Sequence, residues 1–335
     1  MARIAGILSL YFFLILPCDA ASATLKIATA APEGTSWMKE MRAGAKEITA
    51  RTDGRVTFRF YPGGVMGNDA SVLRKIRIGQ LHGGAVTGGG LAAIFHDAQI
   101  YGLPFFFRSY DEVDYVRKRM DPMILDGLKQ RGFIAVGLAE LGFAYLMSRR
   151  PLRQSSDLKE RKVWVPEGDR VAYAAFEAIG VSAIPLSLID VLTGLQTGLV
   201  DTVGASPIGA IALQWHTRVK YVADAPLSYL YGGLVIKRTA FDRLLPQDQV
   251  IVQEVMERVL VSISERNRRD NDGSRDALRN QGIQFITPAP EVWEETRTSV
   301  SKAMDALARE GVFSQIALET LRGNLDTYRS SERGP

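Results

Sequence analysis

Cysteine and histidine are scarce in this sequence of 335 residues. Cys18 is the only cysteine, and it lies in a segment that we expect to be removed, so the mature chain has no disulfide, thiolate nucleophile or cysteine-based metal site. The three histidines, His82, His96 and His216, lack the spacing of a metal site. A G-x-S-x-G turn and a P-loop are also missing. We therefore predict no catalytic residue, no metal site and no cofactor.

A long apolar run occurs only at the start of the chain. Residues 4–16 are nearly all apolar, Arg3 precedes them, and Ala21-Ser22-Ala23 supplies the small residues that signal peptidase recognises. This pattern predicts a secretory signal peptide over residues 1–23, with Thr24 as the first residue of the mature chain. A buried N-terminal helix is the alternative. We expect an exported protein located in the periplasm.

No strong charge bias marks the rest of the chain. The net charge is +4, and the positive residues are scattered, whereas nucleic-acid binding needs a dense basic stripe with interleaved aromatic residues. A content of 46% hydrophobic and 23% charged residues is typical of a globular protein and excludes disorder. The mature chain of about 310 residues is long enough for two domains.

Strands alternate with helices along most of the mature sequence. Apolar and polar residues alternate over residues 56–61, as in a half-buried strand, and Phe133–Leu138 is an uncharged strand that follows a helix. Asp69 and Asp111 are the predicted N-caps of two helices. The alternation continues after residue 150 and predicts an α/β fold of two similar lobes with a mostly parallel sheet.

One segment departs from this alternation. Pro246–Asn280 has the apolar spacing of a helix up to Ile263 and is polar on every side beyond Arg266. A helix of this kind can bridge two domains, and two helices separated near Gly273 are the alternative. The predicted organisation is a signal peptide at 1–23, lobe I at 24–146 plus about 228–265, lobe II at 147–227 plus about 275–310, a spanning helix at 246–280, and a C-terminal segment at 311–335.

A glycine-rich stretch resembles a nucleotide-binding motif. Gly88-Gly89-Gly90-Leu91-Ala92-Ala93 fits G-x-G-x-x-A between a strand and a helix. The motif also needs an acidic residue at the end of the next strand, and Asp111 has the right spacing but is predicted to cap a helix. Small residues at a tight turn beside a ligand cleft explain the stretch better. A periplasmic nucleotide-dependent enzyme is the alternative.

Polar and aromatic residues recur near the predicted strand ends of both lobes. Open α/β sheets bind ligands at the carboxyl ends of their strands, where the loops collect. This recurrence predicts one ligand-binding cleft between the lobes. The predicted binding residues are Glu33, Trp37, Asn68, Thr87, Phe105, Glu140, Trp164, Leu188, Ser206 and Tyr231.

Several motifs, in the same order and spacing, resemble one family. They are Thr52-Asp53-Gly54-Arg55-Val56, Tyr61-Pro62-Gly63-Gly64-Val65-Met66-Gly67, Gly102-Leu103-Pro104-Phe105-Phe106-Phe107, Asp157-Leu158-Lys159 with Lys162 and Val165-Pro166, and Gly194-Leu195-Gln196-Thr197-Gly198-Leu199-Val200-Asp201. The chain resembles the DctP-type substrate-binding proteins of tripartite ATP-independent periplasmic (TRAP) transporters. The resemblance covers nearly all of the mature sequence.

The resemblance implies a periplasmic-binding-protein-like fold, in which β-linkers and a long spanning helix join two α/β lobes. It also implies closure on a ligand and delivery to the small and large membrane subunits of a TRAP permease, driven by an ion gradient. Many relatives bind carboxylates through arginines that correspond here to Trp164 and Ala144. Because tryptophan cannot form the two charge-assisted hydrogen bonds of an arginine, we expect Trp164 to stack on a planar or apolar ligand.

We therefore predict a solute-binding protein that captures an organic acid or a planar aromatic compound between its lobes. We expect a monomer with no enzymatic activity, no cofactor and no nucleic-acid partner. The alternative within binding proteins is an ATP-driven (ABC) transport system, against which the family motifs argue.

Overall fold

The structure is a computed structural model that describes residues 22–332. The predicted signal peptide lies outside the described residues, apart from its last two. The strands are β1 (Ala23–Thr29), β2 (Val56–Tyr61), β3 (Gly83–Thr87), β4 (Phe133–Ser148), β5 (Val163–Pro166), β6 (Ala183–Leu186), β7 (Thr202–Ala205), β8 (Tyr221–Ala223), β9 (Ser228–Lys237) and β10 (Gln284–Ile286).

Helices connect these strands and cover both faces of the sheet. They are α1 (Ser36–Arg51), α2 (Asp69–Arg77), α3 (Gly88–Ala92), α4 (Tyr110–Gln130), α5 (Ser155–Lys159), α6 (Arg170–Glu177), α7 (Val191–Thr197), α8 (Pro207–Ala212), α9 (Arg238–Phe241), α10 (Pro246–Asn280), α11 (Pro290–Arg309) and α12 (Gln315–Glu332), with short 3-10 turns at His96–Gly102, Leu188–Asp190 and Trp215–Arg218. None of the described helices is both long and apolar enough to span a membrane.

The strands form one mixed sheet in the order β2-β1-β3-β9-β4-β7-β5-β6, and the β8–β10 pair adjoins β4. β1 is parallel to β2 and β3, and β5 is parallel to β6 and β7, as the alternation predicts. The first three strands with α1–α4 are called lobe I below, and β5–β7 with α5–α8 are called lobe II. The α/β fold predicted from the sequence is confirmed.

Two long antiparallel strands, β4 and β9, and the helix α10 connect the lobes. The register of β4 against β9 shifts between Ala135 and Gly137 and again between Glu140 and Gly142. Gly142 has φ of 94°, a conformation that residues with a Cβ atom rarely adopt. Because of this kink, β4 pairs with β9 beside lobe I and with β7 in lobe II. The strand predicted to end at Leu138 therefore continues for ten more residues, to Ser148.

Four apolar cores fill the layers between the sheet and its helices. In lobe I, Met38, Met41 and Ile48 of α1 pack with Val255 and Met256 of α10 on one side of the sheet. The other side of lobe I carries a larger cluster that extends into α11 and α12. Lobe II has two smaller clusters. α10 runs without a break past Gly273, so the two-helix alternative is wrong.

The two C-terminal helices contact different parts of the molecule. α11 packs on α6 of lobe II, where Arg170 forms an exposed ion pair with Glu310. α12 packs on α4 of lobe I, where Arg329 pairs with the buried Glu112. The segment after residue 310 is therefore a helix fixed to lobe I.

Two predicted helix caps are wrong by one or two residues. The N-cap of α2 is Asn68, whose Oδ1 atom accepts a hydrogen bond from the Ser71 backbone nitrogen, and Asp69 lies in the first turn. The N-cap of α4 is Ser109, and Asp111 lies inside the helix. In both cases an uncharged cap precedes an acidic residue, which is favourable in a first turn.

Candidate functional site

The rim of the cleft is formed by loops that follow strands of both lobes. Asn68, after β2, donates a hydrogen bond from Nδ2 to Oε2 of Glu167, after β5, over 3.1 Å. The same loop of lobe I touches lobe II at a second point, because a Cβ atom added to Gly64 would lie 2.6 Å from Cγ2 of Ile189. The two lobes are therefore in contact at the rim.

In lobe I, Asp69 links the rim to the end of β3. Its Oδ2 atom accepts hydrogen bonds from the backbone nitrogen of Thr87 over 3.1 Å and from its hydroxyl over 2.6 Å. Burial raises the pKa of the Asp69 carboxyl, although both hydrogen bonds from Thr87 oppose the shift. The Thr87 hydroxyl also accepts from Gly90, as the N-cap of α3. Thr87 is therefore held from two sides.

Tyr231 lies beside Thr87 on the neighbouring strand β9. Its side chain is buried, and its ring lies so close to Gly88 that a Cβ atom there would be 2.8 Å from Cε1. Tyr229 stacks on the same ring, and Tyr101 meets it edge-on. The Tyr231 hydroxyl has no hydrogen-bond partner among the described residues. Burial raises its pKa, so the hydroxyl remains a donor at neutral pH.

The glycine-rich stretch has packing roles. Gly88 admits the Tyr231 ring, and Gly90 lies against Asp69, since a Cβ atom there would be 2.6 Å from Oδ2. All three glycines belong to the five-residue helix α3 and do not form a loop before it. A nucleotide-binding motif also needs an acidic residue at the end of the next strand, to bind the ribose. Asp111, the candidate for this role, lies inside α4, as described above.

Three other predicted residues of lobe I lie in loops or first turns. Trp37 is half-buried in the first turn of α1, and its indole nitrogen is a second buried donor without a partner in the described part of the chain. Glu33 is exposed and forms a bidentate ion pair with Arg42. Phe105 has a positive φ of 65° and donates from its backbone nitrogen to Leu227 over 2.7 Å.

In lobe II, Trp164 is buried in the core with 6% of its surface exposed. Its indole nitrogen donates to the Leu186 carbonyl over 3.0 Å, and its ring meets Trp215 edge-on at 5.1 Å between centroids. Ser206 is buried and caps α8 by accepting from Gly209. Leu188 packs against the same core as Trp164.

Glu140 lies at the kink of β4 and is completely buried. Arg268 of α10 binds both its carboxylate oxygens, at 2.9 and 2.8 Å, and Tyr229 donates to Oε2 over 3.1 Å. Its backbone is also held, because Asn267 donates to its carbonyl and Ser264 accepts from its nitrogen. The carboxylate is therefore satisfied within the protein and fixes the kink to α10.

Asn271, which the sequence analysis did not single out, joins the lobes through α10. Its Nδ2 atom donates to the Leu141 carbonyl of β4, and its Oδ1 atom accepts from the Ile208 backbone nitrogen in the first turn of α8. The polarity of the helix beyond Arg266 was the available signal, since a polar residue in a buried position needs specific partners. The partners themselves lie more than 60 positions away in sequence.

The two positions at which the resemblance implies arginine hold no charge. Ala144 is buried, with 2% of its surface exposed, and Trp164 is buried as described above. In the described residues, no cluster of three or more His, Cys, Asp or Glu side chains is arranged to hold a metal ion. The uncommitted buried donors on the predicted site residues are neutral: the Tyr231 hydroxyl of β9 and the Trp37 indole of α1.

Two lobes joined by long strands, with loops of both lobes meeting at one cleft, define a solute-binding protein. Residues 27–310 match the family model described as DctP, bacterial extracellular solute-binding protein, family 7. The chain belongs to this family, which confirms the resemblance and the binding function predicted from the sequence.

Relatives and solved structures agree with this assignment. The chain is 25% identical over 252 residues to the 2,3-diketo-L-gulonate-binding periplasmic protein YiaO of Escherichia coli, covering 72% of this chain and 74% of the relative. It is 22% identical over 305 residues to the sialic acid-binding periplasmic protein SiaP of Vibrio cholerae, covering 89% and 93%. A TRAP periplasmic solute-binding protein of Desulfovibrio salexigens with bound orotic acid has the same fold, with a TM-score of 0.84, 19% identity, and coverage of 91% of this chain and 99% of that chain.

Proposed function

We propose that this protein captures a small organic acid with a planar or partly apolar body in the cleft between its lobes. The observation that carries the proposal is the buried Tyr231 hydroxyl, which has no hydrogen-bond partner in the described part of the chain. A buried donor without a partner costs free energy, and a carboxylate or carbonyl oxygen of a ligand would satisfy it. The Trp37 indole nitrogen is a second donor of this kind.

The acidic character of the ligand is inferred from the relatives. The proteins named above bind 2,3-diketo-L-gulonate or sialic acid or hold orotic acid, and each of these compounds carries a carboxylate. With Ala144 and Trp164 at the arginine positions, neutral N–H and O–H donors would hold the acid in this chain. Neutral donors favour a weakly charged, planar acid over a small dicarboxylate.

We further propose that Thr87, Phe105, Leu188 and Ser206 line the cleft beside Tyr231 and Trp37. Glu33, Asn68, Glu140 and Trp164, like Thr87 and Ser206, have protein partners for their polar atoms, described above, so Tyr231 and Trp37 are the residues expected to donate to the ligand. The predicted partner is a TRAP permease in the membrane, and the predicted state is a non-enzymatic monomer in the periplasm. N-terminal sequencing of the exported protein tests the location, with Thr24 as the expected first residue.

Thermal-shift screening against orotate, hexuronates, sialic acid and dicarboxylates, with mass spectrometry of co-purifying compounds, identifies the ligand. Isothermal titration then compares Tyr231→Phe with the unmodified protein. Loss of the hydroxyl is expected to weaken binding by about tenfold, the value of one hydrogen bond. Tyr173→Phe is the control, because it removes a tyrosine hydroxyl from an exposed side chain. If the Tyr231→Phe variant binds the ligand as tightly as the control variant and the unmodified protein do, Tyr231 does not hold the ligand.

A further inference from the structure

The two side chains that join the lobes at the rim are each fixed in position by other protein groups, and binding of a solute does not require this. Asn68 and Glu167 belong to different lobes, and their side chains meet at 3.1 Å. The other end of the Asn68 side chain is fixed, because Oδ1 caps α2 by accepting from Ser71 over 3.0 Å. Its amide is therefore aimed at lobe II before the lobes meet, which lowers the entropy lost when the contact forms.

Glu167 is fixed from the opposite side through the Leu186 carbonyl. The Glu167 backbone nitrogen donates to this carbonyl over 3.1 Å, and the Trp164 indole nitrogen donates to it over 3.0 Å. One carbonyl thus accepts two hydrogen bonds at the carboxyl ends of β5 and β6. The Trp164 ring is itself fixed by the core, where it packs on Trp215.

We infer that Asn68 and Glu167 form a latch that closes the cleft at its rim, and that Trp164 is a positioning residue for this latch. Trp164 acts through the Leu186 carbonyl, which sets the position of the Glu167 backbone and so of its carboxylate. Trp164 would then hold the rim closed through its indole nitrogen and would not contact the solute. The latch acts whether or not the ligand is the organic acid proposed above.

The test measures closure of the unliganded protein. The mature chain has no native cysteine, so Ile78→Cys in lobe I and Leu199→Cys in lobe II, both at exposed positions, accept a donor and an acceptor dye. Energy transfer between the dyes reports the ratio of closed to open molecules. Because no ligand is added, a failure of the latch is distinct from a failure of the proposed function.

Asn68→Asp keeps the N-cap, because aspartate caps helices as well as asparagine does. It places two carboxylates face to face at the rim and is expected to lower the closed-to-open ratio by about fivefold, the size of an exposed ion-pair effect. Adding Glu167→Gln restores a donor and an acceptor and should return the ratio to that of the unmodified protein. An unchanged ratio in Asn68→Asp, or no rescue by Glu167→Gln, would overturn the latch.

Trp164→Phe tests the positioning role. It removes the indole nitrogen and keeps an aromatic ring in the core, and it should lower the closed-to-open ratio by about twofold to threefold, less than Asn68→Asp does. In a Glu167→Ala background, which has no latch, the same substitution should leave the ratio unchanged. A purely structural role for Trp164 predicts the same shift in both backgrounds, and that result would overturn the assignment.

Discussion

The two halves of the spanning helix α10 hold the molecule together in different ways. From Pro246 to Ile263, its buried residues are apolar except Asp248, which pairs with Arg55, and they pack against α1 and the sheet of lobe I. From Ser264 onwards, most of its buried residues are polar, with Leu278 as the exception, and Ser264 and Asn271 bond to the kink of β4 and to the first turn of α8. The first half secures the helix to one lobe, and the second half controls how the other lobe is joined to it.

The difference has a physical basis. Apolar packing is non-directional and tolerates small shifts, whereas hydrogen bonds to specific backbone atoms fix an orientation. A helix that holds a kinked strand in one orientation needs hydrogen bonds to specific backbone atoms, because apolar packing alone only fills the space beside the strand. The buried side chains of Asn267 and Asn271 are therefore placed at the bend of β4, where they bond to the Glu140 and Leu141 carbonyls.

The largest effect is expected at the ion pair of the polar half. Arg268→Ala leaves the fully buried Glu140 carboxylate without its cation and should lower the free energy of unfolding by about 3–5 kcal/mol. Urea denaturation measures this loss. Adding Glu140→Leu removes the stranded charge and should recover most of it. A loss below about 1 kcal/mol for the single variant would show that the pair contributes only as a surface contact.

In the apolar half, Met256→Ala tests packing. Met256 is fully buried between α1 and the sheet, so its truncation should cost about 3 kcal/mol through lost burial and a cavity. Val250→Ala, on the exposed face of the same helix, should change stability by less than about 0.5 kcal/mol. Unlike changes in the polar half, Met256→Ala should leave the closed-to-open ratio of the lobes unchanged. A shift in that ratio would contradict the division between the two halves.

Asn271→Ala sharpens the comparison, because this residue bonds to both sides of the hinge. It leaves the Leu141 carbonyl and the Ile208 nitrogen without partners and should cost about 1–3 kcal/mol in urea denaturation. It should also change the closed-to-open ratio. The neighbouring exposed residue provides the control, since Asp272→Ala should alter neither quantity measurably. Equal effects from both substitutions would argue against a hinge role for Asn271.

The smallest effect is expected at Asp69, a half-buried acid whose hydrogen bonds in the described residues come from the neutral Thr87, in contrast to Glu140. Its raised pKa means that folding favours the protonated carboxyl. Its contribution to stability is therefore complete below the pKa of the unfolded chain and is lost as the pH rises through the folded pKa. Asp69→Asn should raise the melting temperature slightly at pH 8, and this gain should shrink towards pH 4. A gain that grows on acidification would contradict the sign of the shift.

The features that the sequence predicted correctly depend on local patterns. The alternation of strands and helices and the apolar spacing of Pro246–Ile263 can be read within one element. The extent of β4 could not be predicted, because Gly142 is typical of a turn and only pairing with β9 shows that the strand continues. The caps at Asn68 and Ser109 were missed because each is followed by an acidic residue that is also a good cap.

The candidate site was harder to predict than the fold. Trp164 was expected to face a ligand on the basis of its position, but the bond of its indole nitrogen to Leu186 depends on the pairing of β5 with β6. The Glu140–Arg268 pair joins residues 128 positions apart, and no spacing rule connects them.

Energy transfer between dyes at Ile78→Cys and Leu199→Cys, recorded while the best-binding organic acid is titrated, tests the central claim most directly. A cleft that closes on its solute predicts that transfer efficiency rises with ligand concentration, saturates, and is half-maximal at the dissociation constant measured by calorimetry. The contrary result requires a protein whose unliganded molecules are mostly open. If such a protein gives a saturable heat of binding and its energy transfer does not change, the ligand binds outside the interlobe cleft and the account is contradicted.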